Sequence, residues 1–385
     1  MKLKVIICWS DICGYMAACW RALHNSGEVE VFVVAFKALT ETAFDDRLMQ
    51  GIPCKLLNLQ ERQDAVAIEQ LVVSQQPDVV YVGGWLHQPY SKLARAARLQ
   101  HLPFLMGMDT PWQDNFRQRI GPLMLRSYFK RMARIVVTGE RSWQCASRFG
   151  IEPERISRGL CGIDYHNFAP MLAKRLDRED MPGQWPRSFL FAGRYISIKG
   201  IDVLVRAYQD YRNLVDDPWE LVCCGQGDLK PLLAGQPGII DRGFMQPTDL
   251  ETVWQAAGAF IMPSLFDPWP LAIVEAAAAG LPIICTDACG SAVEVVRSWY
   301  NGLVVPEGNS AMLTQALLTF HRQQAQLPLW GRRSQELAAP YGTDIWVDRW
   351  IDLLQDVTKS KSIAAEPDAL PENSVAIETV GATKL

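Results

Sequence analysis

Two sequence patterns that mark common protein classes are missing from this chain. It has ten cysteines among its 385 residues, but none of them form a Cys-x-x-Cys pair, so the ligand spacing of a structural zinc site is absent. No apolar run approaches the roughly 20 residues that a bilayer-spanning helix needs. We therefore expect a protein without a metal site and without a membrane-spanning segment.

A strong charge of one sign is also missing, because 38 Lys and Arg stand against 42 Asp and Glu, a formal net charge of −4. This balance argues against a dedicated nucleic-acid binder, and we expect no nucleic-acid partner. The apolar run over residues 5–9 follows the first four residues directly and is too short for a secretory signal. We expect a cytoplasmic protein whose cysteines are reduced and mostly buried.

The length and the hydrophobic content of 49% suit two domains rather than one core. In the first half, short apolar runs alternate with amphipathic stretches, which is the β-α-β rhythm of a doubly wound parallel sheet. The strands predicted in this half are residues 5–8, 31–35, 79–82, 104–106 and 135–137.

The same rhythm restarts after a polar segment punctuated by Pro and Gly, residues 166–187, which we predict to be a linker. The strands predicted after it are residues 189–192, 220–224, 239–240, 259–262 and 283–285. The expected organisation is an N-terminal Rossmann-like domain (1–165), a C-terminal Rossmann-like domain (188–342), a closing helix (343–357) that packs back toward the N-terminal domain, and a disordered tail (358–385).

The most informative stretch holds two acids eight residues apart, Asp267 and Glu275. A turn containing Pro268 and Pro270 opens onto an Ala-rich helix that ends at Gly280, which is the expected placing of proline and glycine around a helix. An acid on an otherwise apolar helix is costly to bury unless it binds a polar group. The stretch therefore indicates a ligand with hydroxyl groups, held at the start of a helix.

Two cations, Arg194 and Lys199, straddle the turn that follows the predicted strand 189–192. The carboxyl end of a strand is where ligands bind in doubly wound sheets. Arg and Lys at such a place suit a phosphate group, because Arg binds it bidentately and Lys acts as a point charge. Two solvated surface cations are the alternative for this pair taken alone.

Three loops are weaker candidates for the same ligand. Gly225 stands in a glycine turn after the predicted strand 220–224, where the backbone can approach a ligand closely, although an ordinary turn has the same composition. The loop that contains Met245 is a candidate for contact with a nucleobase edge. Gly14 lies at the start of the first helix, where a phosphate can bind, although the Gly-x-Gly-x-x-Gly pattern is absent.

Together these pieces resemble the retaining glycosyltransferases of family 4, which have the GT-B fold: two Rossmann-like doubly wound domains facing a central cleft. The resemblance is clearest over about 188–310 and weaker over 1–165. Three features in sequence order carry it: Gly193-Arg194…Lys199-Gly200, the turn Gly225-Gln226-Gly227, and the acid-x7-acid segment followed by Ala-Ala-Gly-Leu-Pro. The segment Gly162-Ile163-Asp164…Phe168 is similar to the family's domain crossover.

The resemblance implies roles for the matching positions. In that family the positions of Arg194 and Lys199 bind the nucleotide diphosphate, that of Glu275 binds the ribose hydroxyls, and that of Asp267 contacts the transferred sugar. The start of the helix extends the implied donor site to Trp269, Pro270 and Leu271. The nucleotide sugar is a co-substrate, and no cofactor is implied.

The chain departs from the family in three places. The first acid is usually Glu, and Asp267 is one methylene shorter. Pro270 stands where Gly is common and removes one backbone donor. The histidine that often follows a central N-terminal strand is missing, and Asp109 is our candidate for positioning the sugar or the acceptor in its place. His87 is a second candidate for acceptor contact, with a purely structural role in its loop as the alternative.

The function that the resemblance implies is transfer of a hexose from a UDP- or GDP-linked sugar to a hydroxyl acceptor, with retention at the anomeric carbon. The acceptor is expected to be a glycan, a glycolipid or a lipid-linked intermediate. No Asp-x-Asp occurs, which argues against a metal-bound diphosphate. The alternatives are another GT-B enzyme, such as a sugar-nucleotide epimerase or a phosphorylase, and a catalytically weak module that binds sugar nucleotides.

Residues 117–134 interleave basic and apolar side chains. Such a stretch suits a helix lying on an anionic membrane surface, close to a lipid-linked acceptor. An amphipathic helix with a solvated basic face is the alternative. Peripheral contact with the inner face of the membrane is kept as a hypothesis.

Overall fold

Two parallel β-sheets, one in each half of the chain, form the framework of the molecule. The computed structural model describes residues 2–37, 45–177 and 184–365. The strands of the first sheet are β1 (Leu3–Asp11), β2 (Val29–Phe36), β3 (Cys54–Leu57), β4 (Val79–Val82), β5 (Phe104–Met108), β6 (Arg134–Val137) and β7 (Ile156–Arg158). They lie in the order β3-β2-β1-β4-β5-β6-β7, and all their pairings are parallel.

The second sheet repeats this plan with one strand fewer. Its strands are β8 (Ser188–Ala192), β9 (Glu220–Cys224), β10 (Ile239–Gly243), β11 (Ala259–Met262), β12 (Ile283–Thr286) and β13 (Gly302–Val305). They lie in the order β10-β9-β8-β11-β12-β13, again all parallel. In both sheets the strand order reverses beside the first strand, and ligands bind at such a reversal in open α/β sheets.

Helices connect the strands and cover the sheets. They are α1 (Gly14–Asn25), α2 (Ala65–Ser74), α3 (Gln88–Leu93), α4 (Phe116–Arg131), α5 (Glu140–Arg148), α6 (Tyr165–Phe168), α7 (Pro170–Leu176), α8 (Ile201–Arg212), α9 (Glu251–Ala256), α10 (Leu271–Ala278), α11 (Ala292–Val295), α12 (Ser310–Arg322), α13 (Leu327–Ala338) and α14 (Thr343–Ala365).

Burial on both faces explains why the central strands are continuous apolar runs. In β1, Val5 and Ile7 belong to one hydrophobic core of the N-terminal domain, whereas Ile6 and Cys8 belong to a second core on the other side of the sheet. Successive residues of a strand point to opposite faces, so both sets must be apolar. The two doubly wound domains predicted from the sequence are thus confirmed.

Strands β3 and β7 are absent from the sequence prediction. Each lies at an edge of the first sheet, where Lys55 and Arg158 are exposed and the strand is only partly buried. The strands consequently lack the apolar run by which the central strands were recognised.

In the segment 166–187, predicted to be a linker, most of the described residues are instead helical and pack on the C-terminal domain. It contains most of α6 and all of α7, while residues 178–183 lie outside the described part of the chain. Arg175 of α7 is fully buried and donates hydrogen bonds to the carbonyl oxygens of Ala279 (2.9 Å), Gly280 (3.2 Å) and Trp254 (2.8 Å). These bonds fix α7 to α9 and to the end of α10.

Helix α14 begins where the closing helix was predicted but continues to Ala365 rather than ending at residue 357. It packs on the N-terminal domain, because the indole N–H groups of Trp346 and Trp350 donate to the carbonyl oxygens of Leu160 (3.3 Å) and Gly159 (2.9 Å). The rest of the predicted tail, residues 366–385, lies outside the described residues. Among the helices described, none combines the length and the apolar character needed to cross a bilayer.

Candidate functional site

A cavity of about 860 Å³ lies between the two domains, at the carboxyl ends of strands from both sheets. On the N-terminal side it is lined by residues at the carboxyl ends of β1 and β2 and by residues that follow β1 and β5. On the C-terminal side it is lined by the residues that follow β8, β9 and β10, together with one face of α10. Both strand-order reversals therefore contribute to the same cavity. Of the residues predicted to form the site, the cavity brings together Asp109, Arg194, Gly225, Met245 and Glu275.

Arg194 supplies a positive charge to this cavity. It follows β8 directly and is exposed to the cavity. Within the described residues its guanidinium forms no hydrogen bond or ion pair, so all of its donors are available to a ligand.

The glycine turn after β9 allows two loops to pack together beneath the cavity. A Cβ atom at Gly225 would lie 1.9 Å from the carbonyl oxygen of Gly193, and one at Gly227 would lie 2.4 Å from that of Tyr195. Any larger residue would separate the loops that follow β8 and β9. These glycines therefore shape the cavity floor, whereas the sequence suggested that they admit a ligand.

Glu275 lies on the second turn of α10 and faces the cavity. Burial raises its pKa from 4.5 to about 7, because no cation or hydrogen-bond donor among the described residues compensates for the lost hydration. Burial is also the main cause of the raised pKa of Tyr15 on the opposite wall, and the Glu275 charge adds to it. The carboxylate is thus an unpaired acceptor placed against the N-terminal domain.

Lys199 and Asp267 form an ion pair beside the cavity rather than in its lining. Their side chains are only 16% and 10% exposed, respectively. Lys199 precedes Gly200, whose φ of 70° places the turn so close to β11 that a Cβ atom there would lie 2.0 Å from the carbonyl oxygen of Pro263. The two residues predicted for the diphosphate and for the sugar are therefore bound to each other.

Asp109 enters the cavity from the N-terminal domain, directly after β5. Partial desolvation is the largest cause of its raised pKa, and the nearby Asp267 carboxylate raises it further. The two acids, one from each domain, thus face the same part of the cleft. The role predicted for Asp109, positioning the sugar or the acceptor, stays a prediction.

Trp269, Pro270 and Leu271 do not line the cavity, contrary to the prediction for the donor site. The Trp269 ring is 8% exposed and packs with the core of the N-terminal domain. Pro270 is buried, and its carbonyl oxygen accepts a hydrogen bond from the Ser291 hydroxyl (3.0 Å). Leu271 packs against the cores of both domains. Trp269 and Leu271 thus pack at the junction of the two domains, whereas Pro270 is bonded within the C-terminal domain.

Gly14 and His87 are also outside the lining. A Cβ atom at Gly14 would lie 3.1 Å from the Pro247 ring, so this glycine serves a close contact between the domains. The His87 imidazole packs edge-on against Phe36 (4.8 Å between centroids) and Tyr90 (4.3 Å), and burial lowers its pKa. His87 thus supports Phe36, which lines the cavity, and does not reach the cavity itself.

The N-terminal wall contains residues that sequence reasoning missed. Trp9, Ser10 and Asp11 line the cavity at the end of β1, and Phe36 lines it at the end of β2. The Trp9 ring is stacked on Tyr81, with 6.0 Å between the ring centroids. Their position at the carboxyl ends of predicted strands was the signal that could have identified them. Among the described residues, no group of three or more His, Cys, Asp or Glu is arranged to hold a metal ion.

Part of this chain is similar in sequence to known proteins. Residues 186–323, in the C-terminal half, match the family model described as Glycosyl transferases group 1. The phosphatidyl-myo-inositol mannosyltransferase of Mycobacterium leprae is 26% identical over 250 residues, which are 62% of this chain and 63% of that protein. The D-inositol 3-phosphate glycosyltransferase of Salinispora tropica is 28% identical over 232 residues, 54% of this chain and 47% of that protein. The chain thus spans less than two thirds of either relative.

Solved structures extend the likeness to both domains. The crystal structure of Anabaena HepE in complex with UDP and glucose superposes with a TM-score of 0.71 at 15% identity, covering 92% of this chain and all of that one. At this identity the likeness shows the fold alone. The predicted GT-B fold is confirmed, whereas membership of family 4 and a retaining mechanism stay predictions.

Proposed function

We propose that this protein is a glycosyltransferase that moves a hexose from a nucleotide-diphosphate sugar to a hydroxyl acceptor. One observation carries the proposal: the interdomain cavity brings together the Arg194 guanidinium and the Glu275 carboxylate, neither of which has a partner among the described residues. The guanidinium suits a diphosphate and the carboxylate suits the two hydroxyls of a ribose. A nucleotide sugar contains a diphosphate joined directly to a ribose, so one cavity can hold both.

The start of α10 supplies further support for the diphosphate. No side chain caps this helix, and Ala272 of its first turn lines the cavity. Amide groups at a helix N-terminus favour an anion. Arg194 and α10 thus approach the leaving group from two sides, and they stabilise the charge that develops as the sugar–phosphate bond breaks.

The proposed reaction breaks the bond between the anomeric carbon and the β-phosphate oxygen. The acceptor hydroxyl oxygen bonds to the same carbon on the same face, and its proton passes to the departing phosphate oxygen. Retention follows from the resemblance to family 4. We assign Asp109 and Asp267 to the sugar and the incoming hydroxyl, because the two acids come from different domains and the Asp267 charge raises the pKa of Asp109.

UDP-sugars are the first donors to test, because Anabaena HepE was solved with UDP, and GDP-sugars are the second. The two curated relatives are named for phosphatidyl-myo-inositol and D-inositol 3-phosphate. Those names support an acceptor from the glycan, glycolipid or lipid-linked classes. No cofactor and no metal ion is part of the proposal, and we place the protein in the cytoplasm.

Incubation with labelled UDP- and GDP-sugars tests the proposal. Transfer to an acceptor, or slow hydrolysis, supports a transferase. Conversion into another sugar nucleotide would indicate an epimerase, and tight nucleotide binding without turnover would indicate a binding module. We expect Arg194→Ala and Glu275→Ala each to lower the rate by about 100-fold or more. Arg98→Ala and Glu69→Ala, which lie outside the cavity, serve as matched controls, and equal rates in all four variants would contradict the site.

We also propose that α4 binds an anionic membrane surface. Three large apolar side chains of this helix, Phe116, Leu123 and Met124, are 74%, 77% and 74% exposed. Their spacing places them on one face of the helix. Arg117 flanks this face on one side and Lys130 on the other. The helix contains no Asp or Glu, and this combination suits insertion between acidic lipid headgroups.

Sedimentation with phosphatidylserine-containing vesicles at low salt tests the membrane proposal. The triple variant Phe116→Gln, Leu123→Gln, Met124→Gln should not bind vesicles. The triple variant Arg117→Gln, Arg126→Gln, Lys130→Gln should lose the preference for acidic lipid. The matched controls are Gln at Leu214, Met312 and Leu329, and Gln at Arg297, Arg322 and Arg332, which are exposed on the C-terminal domain. A wild type that stays in the supernatant, or controls as defective as the α4 variants, would contradict the proposal.

A further inference from the structure

A second cavity, of about 510 Å³, lies in the same cleft between the domains. On the N-terminal side it is lined by the loop after β5, including Trp112 and Gln113, and by one face of α5. That face presents Arg141, Gln144 and Arg148, spaced three and four residues apart and therefore aligned. The C-terminal wall is formed by residues that follow β11, β12 and β13.

The strand orders show where this cavity lies relative to the proposed donor cavity. In the C-terminal sheet the donor cavity is built on β8, β9 and β10, whereas the second cavity is built on β11, β12 and β13, the other half of the sheet. Phe266 of the second cavity immediately precedes Asp267, and Pro111 lies two residues after Asp109. Asp109 thus lines the donor cavity, and residues close in sequence to both acids line the second cavity.

The lining chemistry of the second cavity differs from one wall to the other. Arg148 is exposed, and its guanidinium lies over the Trp112 ring, 5.3 Å from the centroid. Arg141 donates to the carbonyl oxygen of Asp287 across the cleft. The opposite wall carries the carboxylates of Asp287 and Glu307, of which Asp287 accepts the Glu307 backbone N–H (3.0 Å). A ligand there meets cationic donors on one wall and acceptors for hydroxyl groups on the other.

We propose that the second cavity binds a glycosyl acceptor that carries both hydroxyl groups and an anionic group, such as a phosphate. Arg148 is the main residue for the anion, because Arg141 is already bonded to the opposite domain. Trp112 offers an apolar ring face beside it for a sugar ring. This inference rests on the proposed function, since it places the acceptor in a second cavity of the cleft that holds the donor.

The loop that contributes Trp112 leads directly into α4, the helix proposed to bind a membrane. An acceptor phosphate can thus come from a lipid headgroup or from a soluble sugar phosphate. The chemistry recognised by Arg148 is the same in both cases.

Calorimetric titration of the full chain with glucose 6-phosphate, in the presence of saturating UDP, tests this subsite. UDP occupies the donor cavity, so it prevents the phosphate from binding to Arg194. We expect glucose 6-phosphate to bind more tightly than glucose. Arg148→Gln should weaken its binding by about tenfold or more, as for a lost charge-assisted hydrogen bond, and Arg148→Lys by less. Arg98→Gln is the control, and the affinity for UDP should be unchanged in all three variants.

Equal binding of glucose 6-phosphate by Arg148→Gln and the wild type would overturn the proposal, as would equal binding of glucose and glucose 6-phosphate. If the wild type does not bind UDP but binds glucose 6-phosphate through Arg148, the proposed function is contradicted and the subsite is supported. Transfer of labelled sugar to vesicles containing phosphatidylinositol, compared with transfer to glucose 6-phosphate, distinguishes the two sources. Sensitivity of either transfer to Arg148→Gln supports the subsite.

Discussion

Among single residues, the site depends on two charged groups that have no partner among the described residues. Glu275 is half-buried without a donor, and its pKa is raised to about 7 by burial. Arg194 is exposed to the cavity without an acceptor. The desolvation of Glu275 costs folding free energy that a ligand with hydroxyl donors returns, whereas Arg194 keeps its donors available to an anion. Their unmet interactions are the physical reason for assigning them to the donor.

The Glu275 carboxyl should make stability depend on pH. Between pH 4.5 and about 7 the folded protein holds a proton that the unfolded chain has released. The free energy of unfolding of the wild type should therefore fall relative to Glu275→Gln as the pH rises, by roughly 1.4 kcal/mol per pH unit. Denaturant unfolding of both proteins across this range measures the difference, and parallel pH profiles would show that Glu275 is not perturbed.

The same carboxyl should make nucleotide binding depend on pH in the opposite sense. Ribose hydroxyls donate to the ionised form, so the affinity of the wild type for UDP, relative to that of Glu275→Gln, should increase as the pH rises through about 7. The ratio between the two proteins removes the titration of UDP itself. A ratio that stays constant over this pH range would separate Glu275 from the ribose.

The Lys199–Asp267 pair should behave as one unit. With side chains 16% and 10% exposed, removal of either partner leaves a buried charge unpaired. Lys199→Met should cost about 3 kcal/mol of stability, and Lys199→Met with Asp267→Leu should cost less than the sum of the two single changes. Urea unfolding of the three variants completes the cycle. Additive costs would mean that the pair does not persist in solution.

At the scale of secondary-structure elements, the start of α5 is where the C-terminal domain joins the N-terminal one. The Glu294 carboxylate, from α11, accepts the backbone N–H of Glu140 (2.7 Å) and a hydrogen bond from the Tyr341 hydroxyl. The Trp269 ring lies against the same helix start. Because Trp269 is two residues from Asp267, this junction also fixes one end of the acid-x7-acid segment.

Gly139→Ala tests this junction, because Gly139 has no side chain and so leaves room for the Trp269 ring and the Glu294 carboxylate. A Cβ atom there would lie 2.2 Å from the Trp269 ring and 2.5 Å from the Glu294 carboxylate. Gly139→Ala should destabilise the protein by about 1–3 kcal/mol through this overpacking. In Gly121→Ala, within α4, the new Cβ meets Phe149 at an ordinary 3.6 Å, and stability should stay equal or rise by about 0.5–1 kcal/mol. Thermal unfolding that ranks the two variants in the reverse order would contradict the junction.

At the scale of the whole molecule, the sequence predicted the fold better than the site. Continuous apolar runs identified the central strands, because burial on both faces demands them, whereas the exposed edges β3 and β7 carry no such signal. Arg194 was predicted from its place after a strand and Glu275 from its place on an apolar helix, and both line the interdomain cavity. Trp269 was misplaced because the sequence does not show which way a side chain points once two domains pack together.

The N-terminal wall was missed for a related reason. Trp9 and Asp11 lie at the end of an ordinary buried strand and belong to no motif, and they share a cavity with Arg194 and Glu275 only because the two domains face each other. The composition of the segment 166–187 predicts a linker. Arg175 within it is nevertheless buried and donates hydrogen bonds to three carbonyl oxygens. Interdomain geometry is thus the part that local patterns do not contain.

Arg194 and Glu275 are proposed to hold a nucleotide sugar in the interdomain cavity. The most direct test is calorimetric binding of UDP-, GDP-, ADP- and TDP-glucose to the wild type, Arg194→Ala and Glu275→Ala, with Arg98→Ala as the control. We predict that at least one donor binds to the wild type and to Arg98→Ala with the same affinity, and that each cavity variant loses about tenfold or more. Binding that is unaffected by both cavity variants, or the absence of binding by all four donors, would contradict the account.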